Sequence, residues 1–210
     1  MRRLIDVVVA LLILPMLSPL FVLVGLAIVL ESPGNPFYGG RRVGKGGQAF
    51  RMWKFRTMVS NADQIGGAIT TRRDSRITKV GWFLRKTKLD ELPQFFNLLV
   101  GDVTLIGPRP EDPGIVEQYT PEQRRVLEVK PGITGPTQLR YTSLEAETIP
   151  DNEDPERFYV KRLLKDKLCS DLDYIRRRTF FSDCRVVLQT ILLVARAMKR
   201  SWKFADLDNE

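Results

Sequence analysis

The sequence predicts an α+β protein, mostly helical, in which a small globular domain with a short sheet follows an N-terminal membrane hairpin. Three observations predict it. The segment Val7–Leu30 is an almost unbroken apolar run. The remainder mixes helical and strand periodicities, interrupted by Gly- and Pro-rich turns. Finally, 33 basic residues against 25 acidic ones leave a net charge of +8, which draws phosphate-bearing partners: nucleic acid, nucleotides or anionic lipids. The apolar N-terminus favours lipid among these. There is no histidine, which excludes imidazole acid–base catalysis, His-based triads and His–metal sites. Cys169 and Cys184 have no CxxC spacing and read as two buried thiols in a reducing compartment. Chemistry here must rest on carboxylates, cations and a hard metal ion.

Residues 1–32 read as a re-entrant helix–break–helix. Pro15 and Ser18-Pro19 sit mid-run, where proline removes a backbone donor. Arg2 and Arg3 precede the run and Arg41, Arg42 and Lys45 follow it, so neither flank carries the bias of a spanning segment. Each leg of about 11 residues would be about 16 Å long, too short to cross roughly 30 Å of hydrocarbon. The Ser18 hydroxyl should bond a carbonyl freed by Pro19, because an unpaired backbone group is costly in lipid.

A globular domain at the cytoplasmic membrane interface is expected over 33–200, with a polar tail at 201–210. Residues 33–48 read as loop and Ala49–Met58 as a strand, with Phe50, Met52, Lys54 and Arg56 on one face. A polar, basic stretch follows at 59–76. Lys79–Lys86 and Asp90–Val100 read as helices, Val103–Ile106 as a short strand, 111–130 as helical and 140–156 as an acidic loop. Helices over Phe158–Leu168 and Asp183–Arg200 close the chain. The last has Val186, Val187, Thr190, Ile191, Val194 and Met198 in one stripe, the pattern of an amphipathic interfacial helix.

The most suggestive chemical pair is Asp90-Glu91. Leu89-Asp-Glu-Leu-Pro-Gln94 places both carboxylates at a helix start, with Asp as N-cap and proline in the first turn. The helix dipole there favours ionisation, and an ionised carboxylate can attack phosphorus or hold Mg²⁺. Ordinary capping gives the same dipeptide. Lys54 and Arg56, two apart on a strand, could clamp a diphosphate or simply line a solvated edge. Gly107-Pro-Arg-Pro110 holds Arg109 in a stiff turn, and Pro131-Gly-Ile-Thr-Gly-Pro136 is a second stiff loop. The basic cluster Arg72, Arg73, Arg76, Lys79, Arg85, Lys86 and Lys88 could meet headgroups or an anionic substrate.

Singly these signals are weak; their order along the chain is specific. The Ser-Pro hairpin, Lys54-Phe-Arg-Thr-Met58, Leu89–Gln94, Gly101-Asp102, Leu105-Ile-Gly-Pro-Arg-Pro110, Pro131–Gly135 and Asp171-Leu-Asp-Tyr174 together closely resemble the bacterial sugar transferase family. These are the monotopic phosphoglycosyl transferases, or polyprenyl-phosphate hexose-1-phosphate transferases. The resemblance covers about residues 1–195, in a minimal catalytic-unit form without the extra spanning helices and nucleotide-binding-like domain of larger members.

The resemblance implies transfer of a sugar-1-phosphate from a UDP-sugar to polyprenyl (undecaprenyl) phosphate, the first membrane step of glycoconjugate biosynthesis. It implies Asp90 as nucleophile and Mg²⁺ ligand, a covalent phospho-sugar on Asp90, UMP as leaving group, and Glu91 assisting. Lys54, Arg56, Arg85 and Arg109 become the donor-binding candidates, Ser18-Pro19 the hairpin break, and the cytoplasmic face of the bacterial inner membrane the location. One departure is that Gly39-Gly-Arg-Arg-Val-Gly44 lacks the Gln usual two residues before Arg-Val-Gly. The rival reading is a non-catalytic membrane-surface module that binds anionic lipids. A nucleic-acid partner is not expected, since no recognised motif is present and the aromatics are not interleaved with the basic cluster.

Overall fold

The computed structural model describes residues 2–65, 74–141 and 153–207. Its first element, α1 (Arg2–Glu31), is one continuous helix, whereas the sequence predicts two legs parted by a break. The reason lies in how the prolines are accommodated. Pro19 cannot donate to the Pro15 carbonyl four residues back, and the Ser18 hydroxyl does so instead at 2.8 Å. That bond is the one expected at the break, and the helix runs through it. Little of α1 packs against protein. Asp6, Ala10, Val24 and Ile28 are its buried residues, while Leu11, Leu12, Met16, Val22, Leu23 and Leu26 lie exposed.

Both ends of α1 are tied to the same domain. At the start, the Arg3 guanidinium donates to the carbonyls of Leu98 and Leu99, each at 2.6 Å, on α4 (Gln94–Val100). Asp6 accepts from the Thr104 hydroxyl at 2.8 Å and the Leu105 N–H at 3.0 Å, on β3 (Thr104–Ile106). At the end, Glu31 accepts from the N–H groups of Lys79 and Val80 at 2.8 and 2.9 Å, which open α3 (Lys79–Thr87). A cation thus covers a helix C-terminus and an anion a helix N-terminus, each the favoured sign for that end.

An antiparallel hairpin, β1 (Phe37–Val43) and β2 (Ala49–Phe55), follows in the register Phe37↔Phe55 to Val43↔Ala49. Phe21 of α1 meets Phe55 edge-on at 5.1 Å and Phe96 at 5.8 Å, while Phe37 stacks on Phe55 at 5.3 Å. This aromatic group seats α1 on the hairpin. Asn97 of α4, fully buried, accepts from the Trp53 N–H at 2.9 Å and donates to the Arg51 carbonyl at 2.7 Å, which fastens α4 to β2. A single turn, α2 (Ala62–Ile65), precedes α3. Gly81 of α3 lies so close to the chain at Thr57 that a Cβ would sit 2.0 Å from the Thr57 carbonyl oxygen.

β3 pairs in parallel with β4 (Gly132–Thr134), so the Pro131–Pro136 segment, read from sequence as a loop, carries a strand. Its glycines permit this. A Cβ on Gly132 would lie 2.0 Å from the Gly107 nitrogen, a distance no side chain tolerates. The helix expected over 111–130 is instead α5 (Pro113–Glu117) and a 3-10 turn at Gln123–Glu128. Pro121 and the Thr120 cap, whose hydroxyl receives the Gln123 N–H at 3.3 Å, break its continuity.

Residues 136–141 form α6, and most of the acidic loop expected at 140–156 lies outside the described residues. The chain closes with α7 (Pro155–Phe158), a π turn at Tyr159–Leu163, α8 (Leu164–Arg177) and α9 (Phe180–Leu207). The boundary drawn at residue 200 therefore falls inside α9. Val186 and the Thr190 hydroxyl, 2.7 Å from that of Thr134, face inward. Leu188, Ile191, Leu192 and Met198 face outward, so Ile191 and Met198 leave the predicted stripe and α9 is apolar on two sides. Both cysteines are exposed rather than buried; Cys184 lies on the outward side of α9, and Cys169 on that of α8.

Candidate active site

α3 ends at Lys88, which adopts a left-handed conformation (φ 63°) and is the only non-glycine among the described residues with positive φ. Such a conformation costs a non-glycine residue about 1 kcal/mol or more. It swings the chain into a 3-10 turn, Leu89–Glu91. Asp90 is thus not the N-cap of a helix, as its sequence context predicts; it lies inside the 3-10 turn, and α4 begins only after Pro93. The turn does what a cap would not, and drives Asp90 inward to 7% exposure.

The two carboxylates are differentiated by their surroundings. One oxygen of Asp90, Oδ1, is buried without a hydrogen-bond partner. Burial raises its pKa above the ordinary range, countered in part by Lys54 and reinforced by the charge of Glu91. Glu91 is the opposite case. Burial alone would raise it, but Lys54, Arg109 and Lys88 together hold it well below the carboxylate range. Its Oε1 accepts from Lys54 Nζ at 3.2 Å and from Arg109 Nη2 at 3.3 Å. One acidic oxygen therefore fixes two cations from distant parts of the chain.

Four cations surround the pair. Lys54 comes from β2 and Arg109 from the Gly107–Pro110 loop. Arg85 comes from α3, its Nε donating to the Thr57 hydroxyl at 2.8 Å, and its charge acts on both carboxylates. Lys88, which the sequence placed only within the broad basic cluster, is the fourth, acting on Glu91 and Asp90. Burial lowers the pKa of both Arg85 and Lys88.

Arg56 stands apart. It follows β2, and its guanidinium donates to the carbonyls of Ser32 and of Pro33, the latter at 3.3 Å, which fastens the exit of α1. The basic cluster divides likewise: Arg76 is paired with Asp74 at 2.6 Å, Lys86 lies 4.4 Å over the Trp82 ring, and Arg72 and Arg73 lie outside the described residues. On β1, where the usual Gln is missing, a Cβ on Gly40 would meet the Tyr38 ring at 3.1 Å.

Sequence reasoning missed a second buried network behind Arg109. Glu111 accepts from Lys167 at 3.3 Å and from the Tyr159 hydroxyl. One turn beyond Lys167, Asp171 is raised to about 7 by burial, against the pull of the Thr137 hydroxyl and Lys167. Only Asp171 had a sequence signal, within Asp171-Leu-Asp-Tyr174.

Among the described residues no group of three or more His, Cys, Asp or Glu converges as a metal cage. The donor set at the site is Asp90 with its bare Oδ1 and Glu91 beside it. That set suits Mg²⁺, which keeps several waters and takes one or two carboxylates together with substrate phosphates.

The sequence profile of the family described as bacterial sugar transferase matches residues 1–197. The chain is also 36% identical, over 90% of its length and 68% of the relative's, to a UDP-glucose:undecaprenyl-phosphate glucose-1-phosphate transferase of Caulobacter vibrioides. A UDP-N-acetylgalactosamine-undecaprenyl-phosphate N-acetylgalactosaminephosphotransferase of Aeromonas hydrophila is 36% identical, over 90% of this chain and 42% of its own. An Escherichia coli protein with the same name as the Caulobacter one is 37% identical over 91% of this chain and 39% of its own. The chain thus spans about two fifths of the length of the last two. It belongs to the bacterial sugar transferase family.

The contrast between the carboxylates predicts opposite responses to neutralisation. Asp90→Asn removes a buried carboxyl and leaves both ion pairs of Glu91 intact, so the thermal midpoint should hold or rise. A raised folded pKa contributes stability only at low pH and loses it as pH rises through that value. The gain of Asp90→Asn should therefore be larger at pH 7 than at pH 4. Glu91→Gln strands Lys54 and Arg109 and should cost on the order of 1–2 kcal/mol. Thermal unfolding in detergent at both pH values checks this; the reverse order of midpoints contradicts it.

Proposed function

We propose that this chain transfers a sugar-1-phosphate from a UDP-sugar to undecaprenyl phosphate, with Asp90 as the nucleophile. The observation that carries the proposal is the bare, buried Oδ1 of Asp90 amid Lys54, Lys88, Arg85 and Arg109. Two carboxylates among four cations leave an excess of positive charge for a polyanionic substrate. The Caulobacter and Aeromonas relatives, named for glucose and N-acetylgalactosamine donors respectively, share UDP and undecaprenyl phosphate in their names, and the proposal rests on those shared parts.

The donor diphosphate is held by Arg109 and Lys54, which Glu91 sets in place before it arrives, so little ordering is needed on binding. The Asp90 carboxylate forms a bond to the β-phosphorus as the bond from that phosphorus to the bridging oxygen breaks. UMP departs with the electron pair. A phosphate oxygen of the polyprenyl acceptor then attacks the same phosphorus, and the Asp90 carboxylate is released unchanged. Mg²⁺ held by Asp90 would neutralise the charge that an anionic nucleophile otherwise approaches against repulsion. Glu91, held ionised by its cations, is a poor proton acceptor; its part is to position Lys54 and Arg109.

The acceptor is a lipid, and the outer surface fits a membrane. The exposed side of α1, Trp82 and Phe83 of α3, Phe96 and Val100 of α4, and Phe180, Phe181 and Leu188 of α9 present apolar surface that water does not cover favourably. α9 then lies in the interface. What supports a re-entrant path for α1 is that both its ends grip one domain: a helix crossing roughly 30 Å of hydrocarbon would leave one end on the far side. The site would sit at headgroup level on the cytoplasmic face of the inner membrane.

Two measurements test the reading. Protein in nanodiscs, given a panel of UDP-sugars, Mg²⁺ and polyprenyl phosphate, should release UMP continuously, and EDTA should stop it. No UMP with any donor would leave only the lipid-binding module. For topology, the native cysteines are replaced and a single cysteine is placed near residue 2 in intact cells. An impermeant thiol reagent should leave it unlabelled; labelling from the periplasm would make α1 an ordinary transmembrane helix.

A further inference from the structure

The loop that carries Arg109 continues into Glu111, whose main-chain carbonyl receives the Val43 N–H at 3.0 Å. Its side chain turns away from the site, toward α8. There Oε1 accepts from Lys167 Nζ at 3.3 Å and from the Tyr159 hydroxyl, and the Lys167 ammonium sits 4.6 Å over the Tyr159 ring. The side chains of Lys167 and Glu111 are 4% and 13% exposed. Tyr159, at 3% exposure, opens the π turn, an irregularity frequent at functional sites.

A buried ion pair is an inefficient source of stability. Desolvation costs several kcal/mol per ion, and apolar residues of similar volume often do as well. The location of this pair is more informative than its strength. Glu111 is two residues from Arg109, whose charge acts on it, and Arg109 is in turn bonded to Glu91. The result is a file of alternating charge: Lys54, Glu91, Arg109, Glu111, Lys167. Its first three members face the substrate site, and its last two are buried beneath it.

We propose that Glu111 and Lys167, with Tyr159, are positioning residues for donor binding: they hold the Arg109 loop from below so that its guanidinium meets the donor diphosphate. Neither touches substrate. The inference rests on the reading of Arg109 as a diphosphate contact.

The test is a cycle between the buried pair and Arg109, in full-length protein in nanodiscs, with UDP as the binding probe and donor KM and kcat as kinetic readouts. The double substitution Glu111→Gln/Lys167→Met removes both charges of the pair together. It should weaken UDP binding and raise donor KM by about tenfold, a coupling typical of residues in one network, with a much smaller change in kcat. On an Arg109→Ala background the same substitutions should add nothing. If the double variant unfolds, Tyr159→Phe, which deletes one hydroxyl, carries the same test with an effect of about threefold. A loss of equal size on the Arg109→Ala background, or equal effects on KM and kcat, would overturn the inference. Wild type that fails to bind UDP overturns both readings, while wild type that binds UDP without releasing UMP overturns the proposed reaction alone.

Discussion

One oxygen atom organises the site. Oε1 of Glu91 receives Lys54 from β2 and Arg109 from the loop after β3, so a strand and a loop more than fifty residues apart converge on a single acceptor. Without it, two cations held close together in a partly desolvated pocket would repel each other. With it, they are fixed near Asp90 before any substrate arrives. The backbone makes this possible through strain at Lys88, whose left-handed conformation turns the chain from α3 into the Leu89–Glu91 turn. Strain of this kind persists where the surroundings over-determine it, which is commonly at functional sites.

The same economy appears where α1 meets the domain. Arg3 and Glu31 each satisfy helix-end groups of the catalytic domain, on α4 and α3 respectively, and those two helices flank the turn that holds Asp90. Arg56 completes the attachment by gripping the chain as it leaves α1. The apolar helix is therefore mechanically joined to the site on both sides. For the proposed lipid acceptor, that joint would fix the height of Asp90 relative to the membrane.

Much of the site was legible in the sequence, for a specific reason. Asp90-Glu91, Lys54, Arg85 and Arg109 lie in short motifs whose chemistry is carried by residue type. Arg56 was grouped with Lys54 because period-two alternation puts it on the same face, whereas β2 ends at Phe55 and the guanidinium turns toward Ser32. Asp90 looked like a helix cap because proline is welcome in a first turn, and the 3-10 geometry imposed by Lys88 has no sequence signature. The Glu111–Lys167 pair joins positions 56 apart and could not be read locally. In the fold, β4 was hidden in a Gly- and Pro-rich stretch because its pairing depends on the close approach of Gly107 and Gly132 rather than on apolar alternation. α1 survives as one helix because the Ser18 hydroxyl replaces the missing donor; the sequence predicts that bond but places a break beside it.

Asp90 costs stability where it stands: it is buried, its Oδ1 is unpartnered, and its pKa is raised. Such a group persists when its reactivity is the benefit. The most direct test is intact-mass analysis of protein mixed with Mg²⁺ and a UDP-sugar in the absence of acceptor, with peptide mapping of any adduct. A mass increase of one phospho-sugar, located on Asp90 and discharged by polyprenyl phosphate, is the predicted result. An active enzyme that shows no adduct, and whose two-substrate kinetics give intersecting lines, would contradict the assignment of Asp90 as a covalent nucleophile.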